Sequence, residues 1–243
     1  MDADWSELPS DLLITIFTAL EIDPRLPRLR RRLQIMARPL RPRNQLSFAR
    51  LGDNTWTWLT SRTDCLDYND CFFDDNDGLL YAIRNTGEVH AIDLNGTTPV
   101  VNNVCPPYEE ELFRTNYIVR APWGNLLQVW RYFGVGKEVT TDHVTVYKFD
   151  PVTQDRALIK DLRGHAMFVS FGTSFLVSVI DFPALTPNCV YLAHDNTKFN
   201  ELGIHNIQEV AVYNMQDETF ADQSTQSSSK NYPSHAVWVQ PSW

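Results

Sequence analysis

The feature that most constrains the fold is the alternation of short apolar runs with turn residues from residue 54 to the end of the chain. This alternation, without a long helical period, is typical of antiparallel β-structure. Asn76-Asp77-Gly78, Asn85-Thr86-Gly87 and Asn95-Gly96 supply turn residues that tolerate positive φ. The pattern predicts strands at Thr55–Leu59, Cys71–Phe73, Leu79–Arg84, Glu88–Leu94, Val100–Val104, Asn116–Ala121, Leu126–Phe133, Val144–Phe149, Ala157–Asp161, Met167–Phe171, Phe175–Ser178, Cys189–Ala193, Glu209–Asn214 and Thr219–Ala221.

A weak internal repeat runs through this region. Three segments share one plan: a strand that ends in an apolar residue, then Asp or Asn, then a polar turn into the next strand. They are Val89–Leu94, Val146–Pro151 and Val210–Met215. The repeat indicates β-propeller blades, and blades of roughly 40–50 residues would number about three to four here. We therefore predict a mainly β fold: a partial β-propeller of kelch-like antiparallel blades, preceded by a short N-terminal helix. Whether the propeller closes stays open.

The N-terminal segment predicts one amphipathic helix. Apolar residues recur at helical spacing from Leu8 to Leu20, Pro9 lies in the entry turn, and Asp11 lies in the first turn, where the helix dipole favours negative charge. A helix of about a dozen residues is marginal alone in water. Its apolar face therefore needs a partner, in this chain or in another.

Charge divides the chain into three segments. Residues 1–23 contain six acidic and no basic residues, residues 24–50 contain nine Arg and no acidic residue, and the rest is acidic. We place boundaries accordingly: the helix at 1–23, an Arg/Pro-rich linker at 24–53, and the β-region at 54–243. The basic segment has three interpretations: a nuclear-localisation or nucleic-acid patch, a solvated linker, or the product of an altered reading frame or missed exon.

The first segment resembles a known motif. Trp5-x-x-Leu8-Pro9-x-Asp11-Leu12-Leu13-x-x-Ile16-Phe17-x-x-Leu20 is similar to the opening helix of an F-box. The resemblance implies docking to a Skp-type adaptor of a cullin-RING ubiquitin ligase, through Leu8, Pro9, Leu12, Leu13, Ile16, Phe17 and Leu20. It ends where an F-box would continue with two more helices.

Strings in the β-region resemble plant F-box proteins that carry a KIB-type β-propeller. They include GLLYAIRNTGEVHAIDL, YIVRAPWGNLLQVWR, VTVYKFDPVTQ and DFPALTPNCVYLAHD. A stretch of the family's propeller that precedes the region matching Trp56 is absent here. The chain is thus similar to a family member with a truncated F-box and part of the propeller missing.

The resemblance implies a substrate receptor, in which the F-box docks the ligase and the propeller recruits a target protein whose identity the sequence does not reveal. The alternative is a non-enzymatic propeller module that is uncoupled from the ligase. A propeller enzyme such as a glycosidase would need convergent carboxylates or arginines, and no turn suggests them. We expect no catalytic residue.

An aromatic cluster provides the candidate partner surface. Trp123, Trp130 and Arg131 would lie there if they are exposed, because Trp, Tyr and Arg dominate interface hot spots. The interpretation that we favour is that these aromatic residues, with Tyr117 and Tyr132, pack in the core or between blades.

Other classes of function find little support. The six histidines show no HxH or HxxxH spacing, and the four cysteines form no CxxC pair. No apolar run approaches the roughly 18 residues of a membrane span. We expect no metal, no cofactor, and no nucleic-acid or membrane partner. Without a basic signal region before an apolar run, we expect reduced thiols in an intracellular protein, in the nucleus and/or cytoplasm.

Overall fold

The computed structural model describes residues 33–34, 46–50, 55, 57–59, 68–108, 114–135, 139–150, 152–170, 174–192 and 211–221. Every regular element among them is a β-strand. In chain order the strands are β1 (Leu33–Gln34), β2 (Ser47–Arg50), β3 (Thr57–Trp58), β4 (Tyr68–Asp74), β5 (Leu79–Arg84), β6 (Val89–Asp93), β7 (Val100–Cys105), β8 (Arg114–Arg120), β9 (Leu126–Val135), β10 (Val139–Asp150), β11 (Asp155–Ile159), β12 (His165–Val169), β13 (Phe175–Ser178), β14 (Cys189–Leu192), β15 (Ala211–Asn214) and β16 (Thr219–Phe220).

These strands form four sheets that follow one another along the chain. The first three are antiparallel meanders, with the orders β1-β2-β3, β4-β5-β6-β7 and β8-β9-β10-β11. The fourth has the order β13-β12-β14-β15-β16, and its β12 and β14 pair in parallel, with Met167 opposite Val190. The mainly β, partial-propeller prediction is thereby confirmed, whereas the predicted N-terminal helix lies outside the described residues.

A strand is found wherever the alternation predicted one, although several ends differ. Strand β4 begins at Tyr68 instead of Cys71, and β10 begins at Val139 instead of Val144. Both extensions add polar residues, which remain in the strand because pairing with the neighbouring strand satisfies their backbone groups.

Two strands were not predicted, and both lie within the segment interpreted as an Arg/Pro-rich linker. Strand β1 consists of Leu33 and Gln34, and β2 places Ser47, Phe48 and Ala49 in the buried interior. Strand β2 was not predicted because its short apolar run lies between Arg43 and Arg50. The domain boundaries at residues 23 and 53 stay predictions.

Hydrophobic cores lie between successive sheets, as expected for propeller blades. Each core joins residues of two neighbouring sheets. The first–second core contains Leu46, Phe48, Leu59, Tyr68, Leu80 and Ile92; the second–third core contains Ile83, Val89, Cys105, Ile118, Leu126 and Phe149; the third–fourth core contains Tyr117, Val129, Val144, Val146, Met167, Val190, Leu192 and Tyr213.

The internal repeat corresponds to one structural device, the last hairpin of the second, third and fourth sheets. Asp93, Asp150 and Asn214 end β6, β10 and β15. The Oδ1 atom of each accepts a hydrogen bond from the backbone N–H two residues later, at 2.8 Å in all three turns. Such Asx turns are a local alternative to ladder pairing and end the strand.

Candidate interaction surface

The residues predicted to bind the adaptor, Leu8 to Leu20, lie outside the described residues. Their role stays a prediction. The predicted partner surface, by contrast, falls entirely on described strands and turns, so its geometry is visible.

Trp130 lies inside the contact between the second and third sheets. Its side chain is 1% exposed, and the Arg114 guanidinium carbon lies 3.9 Å from the centroid of its ring. Tyr108 meets the ring edge-on at 5.0 Å, and Gly87 lies so close that a Cβ there would be 3.1 Å from Trp130 Cζ2. This corrects the surface prediction for Trp130: the core alternative applies, because the neighbouring sheet covers the indole.

Arg131 is also buried, with 1% of its surface exposed. Its Nε donates a 2.8 Å hydrogen bond to Thr141 Oγ1, and its guanidinium carbon lies 5.1 Å from the centre of the Phe133 ring. The surface prediction for Arg131 is corrected in the same way, because the side chain is engaged within its own sheet.

Trp123 is the member of the predicted surface that reaches solvent. It is half-buried in the turn between β8 and β9 and packs against the third–fourth core. The Arg163 guanidinium carbon lies 5.1 Å from the ring centroid, and the His165 ring lies 5.4 Å away. An indole held by a cation and an aromatic edge is a rigid anchor of the kind enriched at interface hot spots.

Trp123 belongs to one end of the sheets, which we call the turn face: residues 75–78, 94–99, 121–125 and 152–154, the turns that follow β4, β6, β8 and β10. These turns share one end because alternate strands of a meander run in the same direction. Arg120 joins the two sheets there, with Nε donating to Asp74 Oδ2 at 2.7 Å and NH2 lying 3.6 Å from Asp77 Oδ2. Besides Asp74, the acidic residues in or beside these turns are Asp75, Asp77, Asp93, Asp150 and Asp155.

Asp74 is held ionised at this junction. Burial raises its pKa, but the hydrogen bonds from the Asn76 N–H and the Arg120 guanidinium outweigh burial, so its pKa lies below the usual value. The carboxylate therefore fixes Arg120, and Arg120 in turn lies 4.8 Å from the centre of the Tyr81 ring. The arrangement is an ion pair that joins two blades.

A second polar group, which the sequence did not indicate, lies near the opposite end of the second sheet. The Tyr68 hydroxyl shares a 2.6 Å hydrogen bond with His90 Nδ1, and His90 Nε2 lies 3.3 Å from Glu88 Oε1. Glu88 also accepts from Asn103 and pairs with Arg84. Tyr68, Glu88 and His90 are each at most 9% exposed, and burial raises the Tyr68 pKa. The Tyr-His-Glu chain is therefore buried, and it connects Tyr68 of β4 to His90 of β6 within the sheet.

Asp70 connects β4 of the second sheet with β8 of the third sheet. Its Oδ1 accepts from the Cys71 N–H at 2.9 Å, and its Oδ2 accepts from the Ile118 N–H on β8 at 3.1 Å. Sequence reasoning missed this bridge, because the acceptor and the Ile118 donor are far apart in the chain.

The described residues offer little for other chemistry. Cys71, Cys105 and Cys189 are free and buried, and burial raises the pKa of each thiol, which disfavours a nucleophilic thiolate. Within the described ranges no group of His, Cys, Asp or Glu could hold a metal ion. The same residues contain no helix that is long and apolar enough to cross a membrane.

Comparison with known proteins gives a consistent result. The family model described as KIB1-4 beta-propeller matches residues 18–214. A protein of Arabidopsis thaliana that is named as an F-box protein is 26% identical over 129 residues, which cover 52% of this chain and 34% of that protein. The match thus spans about a third of the length of this curated relative. No solved structure matches.

Proposed function

Because the chain belongs to the KIB1-4 β-propeller family, we propose that it is the substrate-recognition subunit of an SCF-type cullin-RING ubiquitin ligase. The observation that carries this proposal is the order of two features along the chain. An F-box-like apolar repeat from Leu8 to Leu20 is followed by a propeller-family match over residues 18–214, which overlaps the last three residues of the repeat. The similarity to an F-box protein of Arabidopsis thaliana supports the same role.

In this proposal the N-terminal apolar repeat and the propeller blades bind different partners. The apolar face formed by Leu8, Leu12, Ile16 and Phe17 docks a Skp-type adaptor, and the blades recruit the target protein. The turn face supplies the contact with the target, with Trp123 as its anchor. The protein works in the nucleus and/or cytoplasm.

We propose binding, not catalysis, as the activity of the blades. Two of the close charged pairs among the described residues are Asp74 with Arg120, and Glu88 with His90. The first pair joins two sheets and the second is buried. Both arrangements are explained by packing, and neither presents an acid and a base to a substrate.

A pull-down with a purified Skp-type adaptor tests the proposal. The full chain is expected to bind, and Leu12→Asp/Phe17→Asp is expected to abolish binding, because two charges on the apolar face cannot be buried against a partner without a large cost. Val152→Asp is the matched control: it adds a charge at a turn residue that is 89% exposed, so binding is expected to persist. Far-UV circular dichroism establishes that each variant is folded.

One observation favours a second candidate function. Strands β1 and β2 lie at residues 33–34 and 47–50, where an F-box would continue with helices. If the folded chain does not bind the adaptor, the proposal fails. The protein is then a non-enzymatic propeller module that binds its target without coupling to the ligase.

A further inference from the structure

The fourth sheet has two apolar faces. One of them packs in the third–fourth core through residues that lie side by side on neighbouring strands: Leu176, Met167, Val190, Tyr213 and Phe220. Successive side chains of a strand point to opposite faces of a sheet, so the residues that alternate with these form the second face. None of those alternating residues belongs to any of the three described cores.

We call the second face the aromatic face. It consists of Phe175 and Val177 on β13, Ala166 and Phe168 on β12, Cys189 and Tyr191 on β14, and Val212 on β15. Phe168 lies opposite both Phe175 and Tyr191, and its ring stacks on theirs at centroid distances of 5.2 and 4.7 Å. None of these residues is charged, so the face offers apolar and aromatic contact to whatever covers it.

The aromatic face is shielded from solvent. Phe175 is 7% exposed and Cys189 is 3% exposed, although neither contributes to a described core. A sheet that is packed on one side only leaves the side chains of its other face in water. A part of the chain outside the three cores therefore covers this face.

The residues that follow β16 leave the fourth sheet within reach of the aromatic face. Strand β16 is separated from β13 by four strand spacings, in the order β13-β12-β14-β15-β16. Strands lie about 4.8 Å apart, so the distance across the sheet is about 19 Å. An extended chain spans about 3.3 Å per residue, so about six residues are enough to cross it.

The composition of the residues after β16 suits a cover. Residues 222–231 are all polar, and they are more than enough to cross the sheet. Residues 232–243 contain no Asp, Glu, Lys or Arg, and their side chains include those of Tyr232, Val237, Trp238, Val239 and Trp243. An uncharged segment that is rich in large aromatic side chains can be buried without removing a charge from water.

We propose that residues 232–243 dock on the aromatic face of the fourth sheet, with Trp238 and Trp243 as anchors. The docked segment covers Phe175, Phe168 and Tyr191 within the same molecule. It thereby withdraws from other proteins an aromatic surface that would otherwise favour association. The inference does not depend on the proposed function in ubiquitin ligation.

The thiol of Cys189 lies on the aromatic face and reports whether that face is covered, whereas Cys105 lies in the second–third core and is the internal reference. Both thiols are buried, so pulse labelling of the full chain with N-ethylmaleimide, followed by mass spectrometry, is expected to modify them slowly. Deletion of residues 232–243 is expected to raise the labelling rate of Cys189 severalfold and to leave that of Cys105 unchanged.

Two single substitutions show whether the docked side chains are responsible. Trp238→Asp is expected to expose Cys189 as the deletion does, because a carboxylate cannot be buried on an apolar face without a large cost. Ser227→Asp is the matched control, since it adds the same charge within the polar residues 222–231. Its Cys189 labelling rate is expected to equal that of the wild type.

A synthetic peptide of residues 232–243 tests docking directly. Added to the deletion variant, it is expected to slow the labelling of Cys189 as its concentration rises, whereas the same peptide with Trp238→Asp should have no effect. In the full chain, the Cys189 labelling rate should not depend on protein concentration, because the cover belongs to the same molecule.

The proposal is overturned if Cys189 stays protected in the deletion variant, because another segment then covers the face. It is overturned equally if the deletion accelerates Cys105 as much as Cys189, because residues 232–243 then stabilise the whole fold and not this face. A peptide that fails to protect Cys189 contradicts docking. Protection that appears only at high protein concentration shows that a second copy supplies the cover, which also overturns the proposal.

Discussion

The Asp74 carboxylate shows how single residues hold neighbouring blades together. It caps its own turn through the Asn76 N–H at 3.0 Å and reaches across to Arg120 on the next sheet. Because the net result is a lowered pKa, the folded protein prefers the ionised form more strongly than the unfolded chain does. Stability is therefore linked to pH through this residue.

The first prediction concerns the loss of stability in acid that Asp74 causes. A group whose folded pKa is depressed contributes stability that is present above its unfolded pKa, about 4, and lost as pH falls through the folded pKa. We expect Asp74→Asn to lower the free energy of unfolding at neutral pH by about 1–3 kcal/mol and to flatten its decline in acid. Urea denaturation at a series of pH values measures both effects. The same change at exposed Asp181 is the control, and an Asp74→Asn variant with an unaltered acid dependence would contradict the prediction.

The candidate site illustrates what sequence can reveal about single residues. Of the three residues assigned to the partner surface, Trp130 and Arg131 are buried, whereas Trp123 is partly exposed. Burial of an aromatic residue depends on which sheet covers it, and that depends on contacts such as Gly87 with Trp130 that are distant in sequence. Spacing within one strand carries no information about such contacts.

At the scale of elements, turn chemistry was the most informative signal. Gly78 and Gly87, which end two of the predicted turns, have φ angles of +74° and +80°. Gly96 is not among the residues with positive φ, and its turn is ordered by the Asp93 carboxylate instead. Gln154 and Glu218 adopt positive φ without being Gly or Asn, so composition could not indicate them.

Pairing between strands was less predictable than the strands themselves. Alternation of apolar and polar residues indicates that a strand exists and which face is buried, but it does not specify the neighbour. The parallel pairing of β12 with β14, around the β13 hairpin, has for this reason no local signature. Strand β2 was missed because its short apolar run lies among arginines.

The second prediction separates two effects of a glycine at a turn. Gly78 and Gly87 share a positive φ, but a Cβ at Gly78 would meet nothing within 4 Å, whereas one at Gly87 would lie 3.1 Å from Trp130. Gly78→Ala is expected to cost about 1–2 kcal/mol from backbone strain. Gly87→Ala is expected to cost about 1–3 kcal/mol more, because the indole must shift. Thermal and urea denaturation measure the difference. Equal losses of unfolding free energy in the two variants would contradict the prediction, because they would show that Trp130 moves aside at no cost.

At the scale of the whole molecule, each sheet is stabilised by the core that it shares with the next sheet along the chain. The three described cores each join one sheet to the next, and among the described residues no core joins the first sheet to the fourth. The arrangement is similar to a repeat protein, whose stability is approximately a sum of unit and nearest-neighbour terms. A weakened seam should then divide the molecule into two parts that open separately.

The third prediction follows from this arrangement and concerns the seam between the second and third sheets. Trp130 fills it, stacked against Arg114 and beside Tyr108, so Trp130→Ala is expected to cost about 3–5 kcal/mol. Because the cavity lies at the contact between sheets, β5 and β12 should then lose hydrogen-exchange protection at different denaturant concentrations, whereas in the wild type they lose it together. Trp123→Ala, at a half-buried position, is the control and should cause a smaller loss without separating the two. If Trp130→Ala instead lowers protection equally in β5 and β12, the sheets unfold as one unit, and the cooperativity of the molecule does not depend on this seam.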